Sequence, residues 1–302
     1  MRDRGAPRPR AARFLVALVL VLLAAVDPAR AAIDVDALWD SDPAVAEAHF
    51  RAALATASGD DALILETQIA RTYGLRRDFA RARRILDEAE PRLAHAGAEA
   101  RARHALEVGR TLASATHPPG SQTDATRASA RAAYERAAVI ARDAGLDALR
   151  VDALHMMAFV DTAPADQLRW ARTALAVAQA SSQPAARRWE ASLHHNAGYA
   201  LHELGRDQEA LDEFRTALAL REQGTNAEAT RVAHWMVAWT LRSLGRTDEA
   251  LAIQLRLERE SEAAGTPDPD VLEELEILYR ARGDVARADA YAARRAALPA
   301  PR

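Results

Sequence analysis

Two stretches of this chain repeat one another 40 residues apart. Leu204-Gly205-Arg206 is followed after two residues by Glu209-Ala210-Leu211, and Leu244-Gly245-Arg246 by Glu249-Ala250-Leu251. A fixed period of this size means one supersecondary unit copied along the chain, each copy burying its apolar face against the next. The alanine of the pattern recurs at positions 46, 82, 130, 171, 210, 250 and 288, at intervals of 36, 48, 41, 39, 40 and 38 residues. Four residues after it stand Phe50, Leu86, Tyr134, Leu175, Phe214 and Gln254, which places them on the same face of a helix. Where two helices cross closely only Ala or Gly fits, because a larger side chain overpacks the contact by about 1–3 kcal/mol. The bulkier residue one turn later fills the space beside the crossing.

Composition agrees with an all-α chain. Ala, Leu, Arg and Glu, all strong helix formers, dominate, and 13 Gly and 13 Pro are spread over 302 residues. Gly97, Gly145, Gly224 and Gly265 are expected to end the second helices of successive units in left-handed caps. Asp42 before Pro43, Thr126, and Asp268 to Asp270 around Pro269 are expected helix starts. Cys is absent, which excludes disulfides, thiolate metal sites and Cys nucleophiles.

The pattern resembles the tetratricopeptide repeat family. That family has a small residue where helices A and B cross, a Gly at the turn, an Ala early in helix B, an aromatic four residues on and an Ala three beyond. Gly198, Gly205, Ala210, Phe214 and Ala217 fill these places in order, and Ala238, Gly245, Ala250, Gln254 and Leu257 fill them less well. The spacing near 40 is longer than the common repeat of about 34. The resemblance covers nearly all of residues 35–295 and implies an all-α, right-handed superhelix, or solenoid, of about six helical hairpins plus an N-terminal helix, over residues 32–302. One unit departs: the segment from Ser114 to Asp124, with Pro118-Pro119-Gly120 at its centre, is an insertion that cannot be helical. It is either a tolerated surface loop or a loop that reaches the groove and touches a partner.

The N-terminus reads as a targeting segment. Arg2, Arg4, Arg8, Arg10 and Arg13 precede an apolar run from Phe14 to Val26, and Ala29-Arg30-Ala31 supplies small residues for cleavage. The expectation is a signal peptide over residues 1–31; the run is short of the roughly 20 apolar residues of a spanning helix, and no later segment is apolar enough to span. The mature chain would be periplasmic or secreted. It would carry 34 Arg against 41 acidic residues, a net charge of −7, which argues against nucleic acid as a partner.

Stacked hairpins present helix A residues on a concave wall. Carried over from the family, the wall positions are Thr67 and Arg71; Arg103, Leu106 and Arg110; Met156 and Val160; His195, Tyr199 and His202; Trp235, Trp239 and Arg242; and Glu273 and Arg280. Trp, Tyr and Arg are enriched at binding hot spots, so Tyr199, Trp235, Trp239 and Arg242 are the leading contact candidates for a protein or peptide partner. The competing reading is that the two Trp fill the space between hairpins. The family's carboxylate clamp of Lys and Asn is not supported, because all 40 basic residues are Arg; Arg71, Arg103 and Arg110 could meet acidic groups in another geometry. His155, His194 and His234 recur at the repeat period, which points to packing. His195 and His202 make a weak metal site without further ligands. Glu273, Glu274 and Glu276 read as a solvated first turn. Phosphate-loop, nucleophile-elbow, His-Glu-x-x-His and dinucleotide motifs are missing, so no enzyme activity and no cofactor are expected. The alternatives to a partner-binding scaffold are a small-ligand or metal-binding protein and a structural subunit of an envelope complex.

Overall fold

The computed structural model describes residues 33–118 and 120–299. The expected signal segment, residues 1–31, lies outside them. Residues from Val35 onward form one compact unit, and every regular element in it among the described residues is a helix.

After the single turn α1 (Val35–Leu38) and the lone helix α2 (Pro43–Leu54), six hairpins follow. They are α3 (Gly59–Leu75) with α4 (Phe79–Ala89), α5 (Ala98–Arg110) with α6 (Asp124–Asp143), and α7 (Asp147–Met156) with α8 (Pro164–Ala180). A short turn, α9 (Pro184–Arg187), leads into α10 (Glu190–Glu203) with α11 (Asp207–Glu222), α12 (Ala227–Ser243) with α13 (Thr247–Ala263), and α14 (Pro269–Ala281) with α15 (Val285–Ala296). The long helices pack on their sequence neighbours, with α10 on α8 and the short α9 on α7 and α8, and the first helices of α3–α4 and α5–α6 also pack on each other. This is the solenoid of six hairpins plus an N-terminal helix.

The crossing alanines explain the stack. Ala46, Ala82, Ala130, Ala171, Ala210, Ala250 and Ala288 are all buried; Ala46 lies in the first turns of α2, Ala82, Ala210, Ala250 and Ala288 in the first turns of their second helices, and Ala130 and Ala171 further along theirs. Phe50, Leu86, Tyr134 and Phe214, one turn later, are among the most deeply buried side chains. The first helix makes room for the largest of them with glycine. A Cβ on Gly198 would stand 2.8–3.0 Å from the Phe214 ring, and one on Gly109 would collide with Tyr134.

Helix ends correct three expectations. Gly145 and Gly265 do hold left-handed caps, at φ 67° and 70°. Gly97 instead is the extended residue before α5, its N–H donating to the Asp60 carboxylate, and Gly224 has no positive φ. α4 runs on through a turn at Glu90–His95 before Gly97 is reached, and α11 ends at Gln223 in the right-handed region. Thr123, not Thr126, caps α6: its hydroxyl accepts from the Thr126 N–H while the Thr126 hydroxyl accepts from the Thr123 N–H, a capping box that starts the helix three residues early. Asp42 and Asp268 cap α2 and α14 as expected.

Candidate binding groove

The first helices of the hairpins stand side by side, and side chains at equivalent heights join each to the next. Arg110 on α5 donates to Asp152 on α7 at 2.5 Å. Asn196 on α10 lies 3.1 Å from the His155 ring on α7. Tyr199 on α10 stacks on Trp239 of α12 at 6.2 Å between centroids and 16° between planes. Arg242 on α12 forms a two-pronged ion pair with Glu274 on α14, at 2.7 and 2.9 Å. These joints run the length of one wall.

The wall is aromatic in the middle. Trp235 continues the stack behind Trp239 at 5.9 Å and 18°, and His202 lies against Trp239 at 3.7 Å. Tyr199 is 46% exposed, while Trp235 and Trp239 are half-buried against the core formed by α10–α13. Trp235 also packs against the Leu257–Leu275 cluster, and its indole N–H is buried without an acceptor. Each tryptophan therefore packs against core while remaining part of the wall. His202 is engaged with Asp207 as well, Nδ1 standing 2.7 Å from the carboxylate.

Two clefts continue the wall toward α3. One, of about 150 Å³, lies between His155, Phe159, His195 and Tyr199. The other, of about 180 Å³, lies between Arg71, Arg110, Asp152, Phe159 and Trp189. His155 and Phe159 line both. On α7 and the turn that follows it the wall differs from the expected positions: Val160 is buried in the core cluster of α5–α7, Met156 belongs to that cluster while also lining the Arg71 cleft, and His155 and Phe159 face both clefts. His155 also does not share the environment of His194 and His234, which pair with Glu213 and Glu222, both on α11. Its counterpart is His195. The signal was present in the sequence. His155 and Phe159, His195 and Tyr199, and Trp235 and Trp239 are three i, i+4 pairs repeated at 40 residues. Thr67 and Leu106 likewise are buried between helices, Thr67 donating its hydroxyl to Ile64 O at 2.6 Å.

The early arginines come together and then differ. Arg103 pairs with Glu99 one turn back at 2.8 Å. Arg110 donates to both Glu107 and Asp152 at 2.5 Å. Burial alone would weaken that cation, but Asp152 and Glu107 hold it protonated and push it above its ordinary value. Burial would likewise raise Asp152, yet Arg110 and Arg71 hold its carboxyl low. Arg71 has no such carboxylate among the described residues; it lies over the Trp39 ring at 5.2 Å, and burial together with Arg110 pushes it below its ordinary value. Burial also pushes His155 and His195 down, which keeps both neutral near pH 7.

At the far end the acidic cluster of α14 is not a solvated turn. Glu274 is buried under Arg242, and Glu273 and Glu276 both pair with Arg295 on α15. The insertion after α5 is pinned: His117 stacks on Phe79 at 3.9 Å and 14°, and the Thr116 hydroxyl donates to Gly74 O at 3.3 Å. Ser114, Ala115 and Thr116 form one rim of the Arg71 cleft.

Residues 189–259, α10 through α13, match the tetratricopeptide repeat family model. These two hairpins are tetratricopeptide repeats. A search of curated proteins finds no match to the sequence. Among solved structures, the fold is similar to a signal transduction ATPase with numerous domains and a tetratricopeptide repeat sensor from Pyrococcus horikoshii, at TM-score 0.64 and 12% identity over 84% of this chain. The chain spans 38% of that protein's length. It is also similar to a Rap protein complexed with competence and sporulation factor, at TM-score 0.53 and 18% identity, over 85% of this chain and 69% of that one. NprR in complex with its cognate peptide NprX aligns at TM-score 0.52 and 11% identity, over 86% of this chain and 74% of that one. At these identities the likeness is one of fold.

Proposed function

We propose that this protein is an exported, non-catalytic scaffold that captures a partner protein or peptide along the wall from Arg71 to Arg242. One observation carries the reading: aromatic rings paired at i, i+4 recur at the 40-residue period at the end of α7 and the turn after it, on α10 and on α12, and those of the first two units line two clefts. Aromatic rings held rigid by packing and open at one edge are the usual anchors of binding surfaces. At about 150 and 180 Å³ the clefts are small beside the roughly 300–1,000 Å³ of sites that enclose a whole small molecule. They suit single side chains of an extended partner. The complexes of Rap and of NprR, which share the fold, support the same use here. Export rests on the basic, apolar and small-residue order of residues 1–31, and no helix among the described residues is long and apolar enough to cross a membrane.

The test is capture from an envelope extract. Tyr199→Ala and the double variant Tyr199→Ala with Trp239→Ala should lower partner recovery at least about tenfold, the loss of one hot spot. Val139→Ala, an exposed residue on the second helix α6, should change nothing. Undiminished recovery with the double variant would remove the groove from the mechanism.

A further inference from the structure

The geometry points to Arg71 as the anchor for one acidic group of the bound peptide, set beside an apolar side chain that enters the adjoining cleft. This rests on the peptide-binding reading above and gives the ligand a chemistry and a direction.

The inference comes from comparing the arginines of the wall. Arg103, Arg110, Arg242 and Arg280 are each neutralised from within, by Glu99, by Glu107 and Asp152, by Glu274, and by Glu276 and Asp289 respectively. Arg71 lines the cleft and makes no hydrogen bond or ion pair to a carboxylate among the described residues. Glu107 and Asp152 lie near enough to act on it through space, but both spend a carboxylate oxygen on Arg110. A guanidinium offers five donors in a rigid fork that matches a carboxylate. Holding one in a half-buried cleft without that partner is costly, and a ligand carboxylate would relieve the cost.

The rest of the cleft defines what accompanies the acid. Ala70, Leu75, Met156, Phe159 and Trp189 make its lining mostly apolar, so the residue next to the carboxylate is a bulky hydrophobic one. The far end of the wall has Arg242 already closed by Glu274. An acidic residue therefore has one favoured place, at the α3 end, and the bound segment runs from there along Phe159 and Tyr199 toward Trp239. Among the described wall arginines, Arg71 is the one without a carboxylate partner, and it sets the register and the end at which the acidic residue lies.

Arrays of 12-residue peptides in matched pairs would decide this. Each pair carries a Leu or Phe next to either Glu or Gln and is otherwise identical. The purified protein should retain the Glu member at least about tenfold better than the Gln member, as expected for a charge-assisted pair. Arg71→Gln should erase that ratio, Arg71→Lys should keep part of it, and Tyr199→Ala should weaken both members alike while preserving it. Equal retention of Glu and Gln members by the unaltered protein, or an unchanged ratio in Arg71→Gln, would overturn the assignment while leaving peptide binding intact. Retention of no peptide at all would overturn the binding reading and this one with it. Should Arg71→Gln melt early through loss of its contact with Trp39, the Glu-to-Gln ratio of the unaltered protein and of Arg71→Lys still decides.

Discussion

Glycine and aromatic residues trade volume across two of the hairpins, α5–α6 and α10–α11. Gly198 faces Phe214 and Gly109 faces Tyr134, and a Cβ at either glycine would force the ring away. In α12–α13 the same place holds Ala238, and the position one turn into the second helix is Gln254. Gly198→Ala would gain about 1 kcal/mol of helix propensity and lose about 1–3 kcal/mol to overpacking, so it should lower stability in urea unfolding. With Phe214→Leu already in place the same change should raise stability instead; a loss of equal size in both backgrounds would mean that the ring is not the obstacle. Gln254 poses the opposite problem. It is fully buried, and neither its amide N–H nor its carbonyl oxygen finds a partner. Gln254→Leu should stabilise the protein by roughly 1–3 kcal/mol, the cost of unmet buried polar groups, seen as a higher urea midpoint with an unchanged slope.

At the scale of elements, each helix is stopped and joined by a small set of local devices. The turns of the α10–α11, α12–α13 and α14–α15 hairpins use Gly205, Gly245 and Gly283 at φ 70°, 71° and 76°, while Arg77 takes the same left-handed place between α3 and α4 at φ 64°. That substitution hid the first hairpin's turn from a search for glycine. The lone helix α2 is held to α3 by Glu47, which accepts from the Tyr73 hydroxyl at 2.5 Å, from Arg51 at 2.7 Å, and from Arg76. Burial would raise its pKa, but these bonds win and bring it from 4.5 down to about 2. A carboxyl with a depressed pKa contributes stability that is complete above its unfolded value and disappears as the pH falls through the folded one. The α2–α3 junction should therefore weaken between pH 4.5 and about 2. Glu47→Gln should lower stability at neutral pH and flatten that acid limb in unfolding followed by circular dichroism. An acid limb of unaltered steepness would show that the bond network is not what depresses the carboxyl.

Over the whole solenoid, the wall divides into parts that hold the fold and parts left open. The internal pairs Arg110–Asp152 and Arg242–Glu274 join neighbouring first helices, so they are poor sites for binding mutants: breaking one strands a buried charge, which costs several kcal/mol. Tyr199, exposed over nearly half its surface, can be removed at little cost to stability. Capture should therefore fall in Tyr199→Ala at a melting temperature close to that of the parent, whereas Arg242→Ala should lower the melting temperature first. Equal melting shifts in the two variants would mean that exposure does not separate function from stability here.

The helical hairpins were legible in the sequence because a crossing tolerates only Ala or Gly. That steric rule is local, acts at every unit, and leaves a mark at Ala46, Ala82, Ala130, Ala171, Ala210, Ala250 and Ala288 that no other requirement erases. The wall positions Tyr199, Trp235 and Trp239 are what the family resemblance implies, and His155 with Phe159 stands at the same 40-residue offset one unit earlier. The roles of the arginines were not legible. Arg71, Arg103, Arg110 and Arg242 look alike on a helical wheel; Glu99 stands one turn before Arg103 on the same helix, but what separates Arg110 and Arg242 from Arg71 is whether a carboxylate from another hairpin arrives within hydrogen-bond reach. Asp152 lies 42 residues from Arg110 and Glu274 lies 32 from Arg242, and no short-range pattern links them. Sequence periodicity thus determined where the backbone goes, because close packing acts through neighbours on one helix face. Tertiary structure alone decided which charges are spent inside the fold and which one, Arg71, is left facing a cleft, because electrostatic pairing depends on distances that only the stacked hairpins establish.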